Sequence, residues 1–236
     1  MISSIPKWVS NTFGSSMRPN VQVLEVHDLS SNIKKVRFHG DILKWEFKIG
    51  YASVIRVSET EFRNYTIAYH DTKNGIFDII FHIHGCAVGS EFANSLKEND
   101  EIFISPPRGK VLYDPNVEQQ FFFGDETSLG LATSLLPVLK QNQQQFQFCF
   151  ELDDENKNLP ELLGLENITV FLKMDLIKRE KWMSGLPIFP KFDGHTSNFI
   201  LTGNAKSAKT FRTILKKKTT GKIAMKGYWI EGKKGL

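Results

Sequence analysis

Cysteine is scarce in this 236-residue chain, and the scarcity removes several possibilities at once. Cys86 and Cys149 are the two present, far apart and without CxxC spacing, which excludes a disulfide framework and a cysteine-built zinc site. A reducing compartment suits them. The opening MISSIPKWVSNTF lacks the charged start and unbroken apolar stretch of a signal peptide, and no later run approaches membrane-spanning length. These absences lead us to expect a soluble, cytoplasmic protein with no membrane partner. Internal repeats are also missing, so solenoids and propellers drop out. Acidic residues are scarce at one end: from Lys206 onward there are ten Lys and Arg, with Glu231 the only acid. The net charge of +4 does not by itself demand nucleic acid, but the uneven tail favours an anionic ligand.

The hydrophobic fraction of 41% is ample for a folded core, and the length suits one large domain or two ordinary ones. Six short runs rich in β-branched and aromatic residues occupy the first half: 21–26, 33–38, 51–57, 64–69, 76–83 and 100–105. Turn formers separate them, which predicts a small antiparallel barrel. One helix interrupts the series, SEFANSLK, with Ser90 as its expected N-cap and Phe92 and Leu96 on one face. After PPRGKVLYDPN the rhythm changes. QQFFFG, FQFCFEL, NITVFLK and NFILTG read as buried strands, and helical segments such as DETSLGLATSLLPVLK and NAKSAKTFRTILKKK alternate with them. That alternation predicts a parallel sheet covered by helices, giving a barrel domain over 1–115 and an α/β domain over 116–236. KQNQQQ reads as a helix end and turn.

FRNYTI places Arg63, Tyr65 and Thr66 in one strand. Alternation puts Arg63 and Tyr65 on the same face, with Thr66 on the other unless the strand bends. Such a strand offers bidentate contact to phosphate, an aromatic surface for a planar ligand and a hydroxyl for a heterocycle nitrogen. A solvent-facing Arg beside a core Tyr explains the same four residues equally simply. The next strand runs through FHIHG into CAVGSEFANSL, a glycine-containing loop ending on a helix N-terminus. Free amides near Gly89, Ser90 and Glu91 would suit a phosphate there, although Glu91 can satisfy that helix end internally. His82 and His84 share one side of their strand, but no third ligand stands at fitting spacing, and a metal site is not indicated.

In these segments and their order, the chain resembles the siderophore-interacting proteins, a branch of the ferredoxin-reductase-like flavoproteins. The resemblance is carried by RNYT, FHIHG, VGSEFA, SPPRG, FFFGDETSLGLAT and MKGYWIEGKKG, in an order that spans residues 63 to 232. It implies a six-stranded antiparallel Greek-key β-barrel that binds FAD, followed by a ferredoxin-reductase-like α/β domain with a parallel sheet. It further implies that Arg63 contacts the flavin nucleotide's phosphates, Tyr65 packs against it and Thr66 lies beside the reactive edge. His84 and Gly85 would line the strand end, Gly89 and Ser90 would face phosphate, and Tyr228 and Trp229 would flank the flavin. The terminal Ile230 stands where the family usually has arginine.

A dinucleotide site after the first α/β strand needs glycines so that pyrophosphate can approach the backbone. Here the turn is Gly124-Asp125-Glu126-Thr127, and its two carboxylates would repel phosphate while capping the helix. Thr127 is nonetheless a candidate on the nicotinamide side. Glu151 and Asp153 are candidates for a ribose contact, or simply part of an acidic loop. Together the resemblance implies an FAD-dependent ferric-siderophore reductase, with NADH, NADPH or a reduced ferredoxin as donor and a ferric siderophore as partner. Lys226 and Lys233 are candidate contacts to that anionic substrate. The alternatives are a general flavin oxidoreductase, a non-catalytic siderophore-binding protein and, through the basic tail, a nucleic-acid-binding protein; the expectation is that nucleic acid is not a partner.

Overall fold

The computed structural model of the chain describes residues 18–174, 176–186, 192 and 195–232, which fall into two compact units divided between Val111 and Leu112. In the first unit the strands are β1 (Val21–Asp28), β2 (Ile33–Gly40), β3 (Ser53–Arg56), β4 (Phe62–Tyr65), β5 (Ile67–Asp71), β6 (Ile76–His82) and β7 (Glu101–Ile102). Every pairing among them is antiparallel, in the order β5-β6-β2-β1-β7, with β3 and β4 as a separate pair. The stretch after β7 returns to β3 through bridges Ile55↔Ile104 and Ala52↔Arg108, which joins the two sets into a barrel. The long connection from β2 to β3, with the hairpin run that follows, is the Greek-key path.

The run NYTIAY, expected as one strand, is two. β4 pairs with β3, Tyr65 opposite Ser53, whereas β5 pairs with β6, Ile67 opposite Ile79. The chain changes partners at Thr66, and a register irregularity follows between Ile67 and Tyr69. A small barrel closes only if some strands bend sharply at a corner, and this is one of them. Inside lie Val23, Val36, Phe38, Ile55, Ile67, Phe77, Ile79, Phe81 and Ile104.

Helix α1 (Val88–Ser95) packs on this core through buried Ala93, with Val88 and Phe92 at its margin. It carries no basic residue in its last turn, but Lys34 of β2, buried to 6% exposure, donates from Nζ to Asn94 O at 3.1 Å. A cation at a helix C-terminus is favourable, so a strand residue fixes the far end of α1.

The second unit is a five-stranded parallel sheet: β8 (Gln119–Gly124), β9 (Gln145–Leu152), β10 (Ile168–Leu172), β11 (Ser197–Leu201) and β12 (Lys222–Met225), in the order β10-β9-β8-β11-β12. Four of these strands are plain in the sequence as apolar runs; β8, β9 and β11 are buried as expected for a sheet covered on both faces, while β10, at the edge, buries only Phe171. The fifth, KIAM, is an edge strand of four residues between polar flanks, too short to stand out. Helices α2 (Leu129–Gln141), α3 (Leu159–Leu162), α4 (Leu176–Ser184) and α5 (Ala205–Lys218) connect the strands. Phe121 and Phe123 meet Phe211 of α5 edge-on at 5.6 and 5.1 Å, while Phe122 turns the other way to Phe148 and Phe150. Residues 112–114 are tied into this unit: Asn198 Nδ2 donates to Leu112 O, the Tyr113 hydroxyl to Gln144 Oε1, and Lys222 pairs with Asp114.

Candidate functional site

In the first unit the residues singled out by sequence converge at the start of α1. Gly89 lies on the side chains of β4: a Cβ there would meet the Tyr65 hydroxyl at 2.9 Å and Arg63 Cγ at 3.2 Å. Only a residue without a side chain lets the helix approach the strand this closely. Tyr65 stands edge-on to Phe81 at 4.7 Å, and its hydroxyl reaches Gly89 O at 3.4 Å. Burial pushes the Tyr65 phenol up to about 12, against the opposing pull of Arg63. The Arg63 side chain is 20% exposed; its Nη1 donates to Phe62 O at 2.9 Å and its Nη2 lies 3.4 Å from Glu61 Oε1.

Ser90 has a different place from the expected one. The helix begins at Val88 with Ala87 in the cap position, and no side chain caps it. The Ser90 hydroxyl, 5% exposed, donates to His84 O and accepts from His84 N, both at 3.0 Å. The amides of Ser90 and Glu91 donate to Ala87 O. Both groups are therefore spent on the turn, and Ser90 positions His84 and Gly85 instead of facing a ligand. Gly85 adopts φ +59° and, like His84, is exposed. The amides of Val88 and Gly89 are the ones left at the helix start with no acceptor among the described residues. Two amides without an acceptor among the described residues, the positive end of a helix dipole and an adjacent guanidinium are the kinds of group that would suit a diphosphate.

In the second unit, the strand order reverses between β8 and β11, and Asp125 sits at the carboxyl ends of those two strands. It is 3% exposed. Its Oδ1 accepts from Thr127 N at 3.0 Å and from the Thr127 hydroxyl at 2.5 Å; its Oδ2 accepts from Asn204 N at 2.7 Å and from Trp229 Nε1 at 2.7 Å. Gly203, at φ +83°, passes so near that a Cβ would lie 2.6 Å from the carboxylate. Thr127, the nicotinamide-side candidate, thus has its hydroxyl directed at Asp125. Trp229 is held further by Ala205 N donating to its carbonyl, and Tyr228 by its own amide donating to Gly203 O.

Glu126 is buried beside it, accepting from Asp153 N at 2.7 Å and pairing with Lys173 Nζ at 2.8 Å. Burial raises its pKa, and Lys173 opposes that rise. Glu151, considered for ribose, is 2% exposed and ion-paired with Arg179, which removes it as a ligand contact; Asp153 pairs with Lys173 at 2.6 Å. Lys226 is half-buried with Nζ 5.8 Å from the centre of the Tyr228 ring, and burial lowers its pKa. Lys233 lies outside the described residues. Sequence reasoning missed the part of Lys34 and the multiple bonding of Asp125, since both depend on partners distant in the chain.

An antiparallel barrel followed by a doubly wound parallel-sheet unit defines the ferredoxin-reductase-like class. Within it, residues 45–111 match the siderophore-interacting FAD-binding domain, the segment that contains β3, β4, α1 and every site residue of the first unit. FAD is the cofactor of that domain. The siderophore-interacting protein SipS from Aeromonas hydrophila is similar over 92% of this chain and 93% of its own, with 18% identity and a TM-score of 0.76. A siderophore utilization protein from T. fusca covers 93% and 95%, with 20% identity and a TM-score of 0.73. Phthalate dioxygenase reductase matches 91% of this chain and 69% of its own, with 12% identity and a TM-score of 0.74. No curated protein matches the sequence. No helix among the described residues is long and apolar enough to cross a membrane.

Proposed function

We propose that the protein is an FAD-dependent ferric-siderophore reductase that frees iron in the cytoplasm by reducing Fe(III) to Fe(II), using NADH, NADPH or a reduced ferredoxin as donor. The observation that carries this reading is the close approach of Gly89 to Arg63 and Tyr65, within the very segment that matches the siderophore-interacting FAD-binding domain. Bound FAD supplies acceptance of a hydride or of single electrons and their release one at a time. Arg63 and the Val88 and Gly89 amides hold the diphosphate, Tyr65 packs against the cofactor, and Thr66, at the corner where β4 gives way to β5, lies beside the reactive edge. Ser90 keeps the His84–Gly85 turn in place.

No acid, base or nucleophile is required of the chain, because iron reduction moves one electron and no proton. Ferric iron prefers the hard oxygen ligands of a siderophore, and the softer ferrous ion is held less tightly. A siderophore of the catecholate kind is anionic, and Lys226 and Lys233 are the cations assigned to it. Two free thiols, Cys86 exposed and Cys149 buried, support a reducing compartment.

The test is anaerobic. The FAD-loaded protein is photoreduced and mixed with a ferric catecholate siderophore in the presence of a ferrous chelator. Return of the oxidised flavin spectrum together with chelated ferrous iron is expected. A protein that takes up no FAD, or a reduced protein that stays reduced with the siderophore present, overturns the proposal.

A further inference from the structure

In open parallel sheets, nucleotides bind in the crevice outside the carboxyl ends of the strands where the strand order reverses, with their phosphates on backbone amides of the flanking loops. In the second unit that crevice lies between the loops after β8 and β11. Its amides are present. Thr127 N and Asn204 N both point into it, and both donate to one carboxylate, that of Asp125. The same carboxylate takes the Thr127 hydroxyl and the Trp229 indole, so each of its two oxygens accepts two hydrogen bonds. Its acceptor capacity is thereby filled.

We infer that Asp125 is a built-in anion that occupies the pyrophosphate place of this crevice, excludes dinucleotides from it and clamps Trp229 instead. The surroundings reinforce the exclusion. Glu126, Glu151 and Asp153 line the same carboxyl edge, against two cations, Lys173 and Arg179, each already paired with those acids. Counting Asp125 on one side and Lys226, which follows β12 at the same edge, on the other, four acids face three bases, and a diphosphate would bring further negative charge into a site where little water screens it. Gly203 is part of the arrangement, since a side chain at that position would push the carboxylate out of the crevice. The diphosphate of a dinucleotide donor is therefore held somewhere other than the switch point of this sheet. This inference goes beyond the reductase reading and does not depend on what the flavin reduces.

The FAD-loaded full chain, labelled with nitrogen-15, is titrated with ADP-ribose, which carries the diphosphate without nicotinamide. Millimolar ADP-ribose is expected to leave the Thr127 and Asn204 amides and the Trp229 indole resonance unmoved. Asp125→Ser removes the charge and frees both amides, and is expected to bind ADP-ribose about tenfold to a hundredfold more tightly than the parent. Asp125→Asn keeps the shape but turns a donor toward donors, and is expected to shift the Trp229 indole resonance. A saturable shift of those resonances in the parent protein, no gain of affinity in Asp125→Ser, or an unmoved indole in Asp125→Asn each overturns the inference. Should the serine variant fail to fold, the titration of the parent protein decides alone. Because the readout is chemical shift and not turnover, failure here is distinct from failure of iron reduction.

Discussion

The two units each build a place suited to an anion, and they treat it in opposite ways. At the start of α1 in the first unit, the Val88 and Gly89 amides have no acceptor among the described residues, and Arg63 stands beside them, bonded to Phe62 O and in a long ion pair with Glu61. At the switch point of the second unit, the corresponding amides are consumed by Asp125 from the chain itself. Both loops end on a helix start and both rely on a glycine at the point of closest approach. The difference teaches that strand, loop and helix define only the potential for binding phosphate. One side chain can decide whether a ligand enters: the second unit supplies its own anion in Asp125, and the proposed diphosphate contact of the first unit has no such carboxylate on its Val88 and Gly89 amides.

This contrast can be broken most forcefully at Lys173. Removing it by Lys173→Met leaves Glu126, buried and already pushed toward its neutral form, without its cation, and the expected loss is about 3–5 kcal/mol of stability. Burial raises the Glu126 pKa, so the charged form is the costly one; protonation relieves the defect, and the loss shrinks as pH falls. Urea unfolding of both proteins across the acid range measures it.

In the first unit the corresponding removal should cost ligand and not fold. Arg63→Ala is expected to weaken FAD binding by about 1.5–3 kcal/mol, roughly tenfold to a hundredfold, because a charge-assisted contact to phosphate is lost. Its effect on unfolding of the FAD-free protein should stay within about 1 kcal/mol, as the pair with Glu61 is partly exposed. Ser90→Ala should do the reverse. Losing two partly buried hydrogen bonds to the His84 backbone costs about 1–2 kcal/mol of stability, with a smaller change in FAD affinity than Arg63→Ala. Flavin fluorescence titration and denaturant melts of both variants separate contact from positioning; equal effects of the two on FAD would erase the distinction drawn here.

The smallest expected effect sharpens the picture of Tyr65. Its phenol is raised to about 12 in the folded protein, from an ordinary value of 10. The stability it contributes is present in full below pH 10 and is lost as pH rises from there through 12, because the unfolded chain ionises first. With the partial exposure of the residue taken into account, this contribution is about 1–2 kcal/mol. Tyr65→Phe should flatten that part of the alkaline stability curve, read by denaturant midpoints between pH 9 and about 12.

Much of the architecture was legible because it rests on local pattern. The apolar runs of β8, β9 and β11 stand out since a central parallel strand is covered on both sides, β10 stands out by composition although it is a largely uncovered edge strand, and the turn formers between the barrel strands mark their ends. Arg63, Tyr65 and Gly89 were legible as a group only through the order of segments, not through any one of them. Ser90 misled because serine before an apolar run is the ordinary signature of a cap, whereas its hydroxyl finds a better partner in the backbone of His84, six residues back. Thr66 misled because its strand is continuous in composition, and barrel closure, a property of the whole sheet, breaks it.

The sequence by itself determined the alternation of elements, the positions of the glycines and the presence of two acids after β8, since each of these is a matter of neighbouring residues. The tertiary structure alone decided where those acids point. Asp125 becomes an internal anion only when Asn204 and Trp229, 79 and 104 residues further along, are brought to it by the pairing of β8 with β11 and β11 with β12. Hydrogen-bond donors act over about 3 Å and not over chain length, so no reading of the order of residues contains that contact before the sheet is assembled.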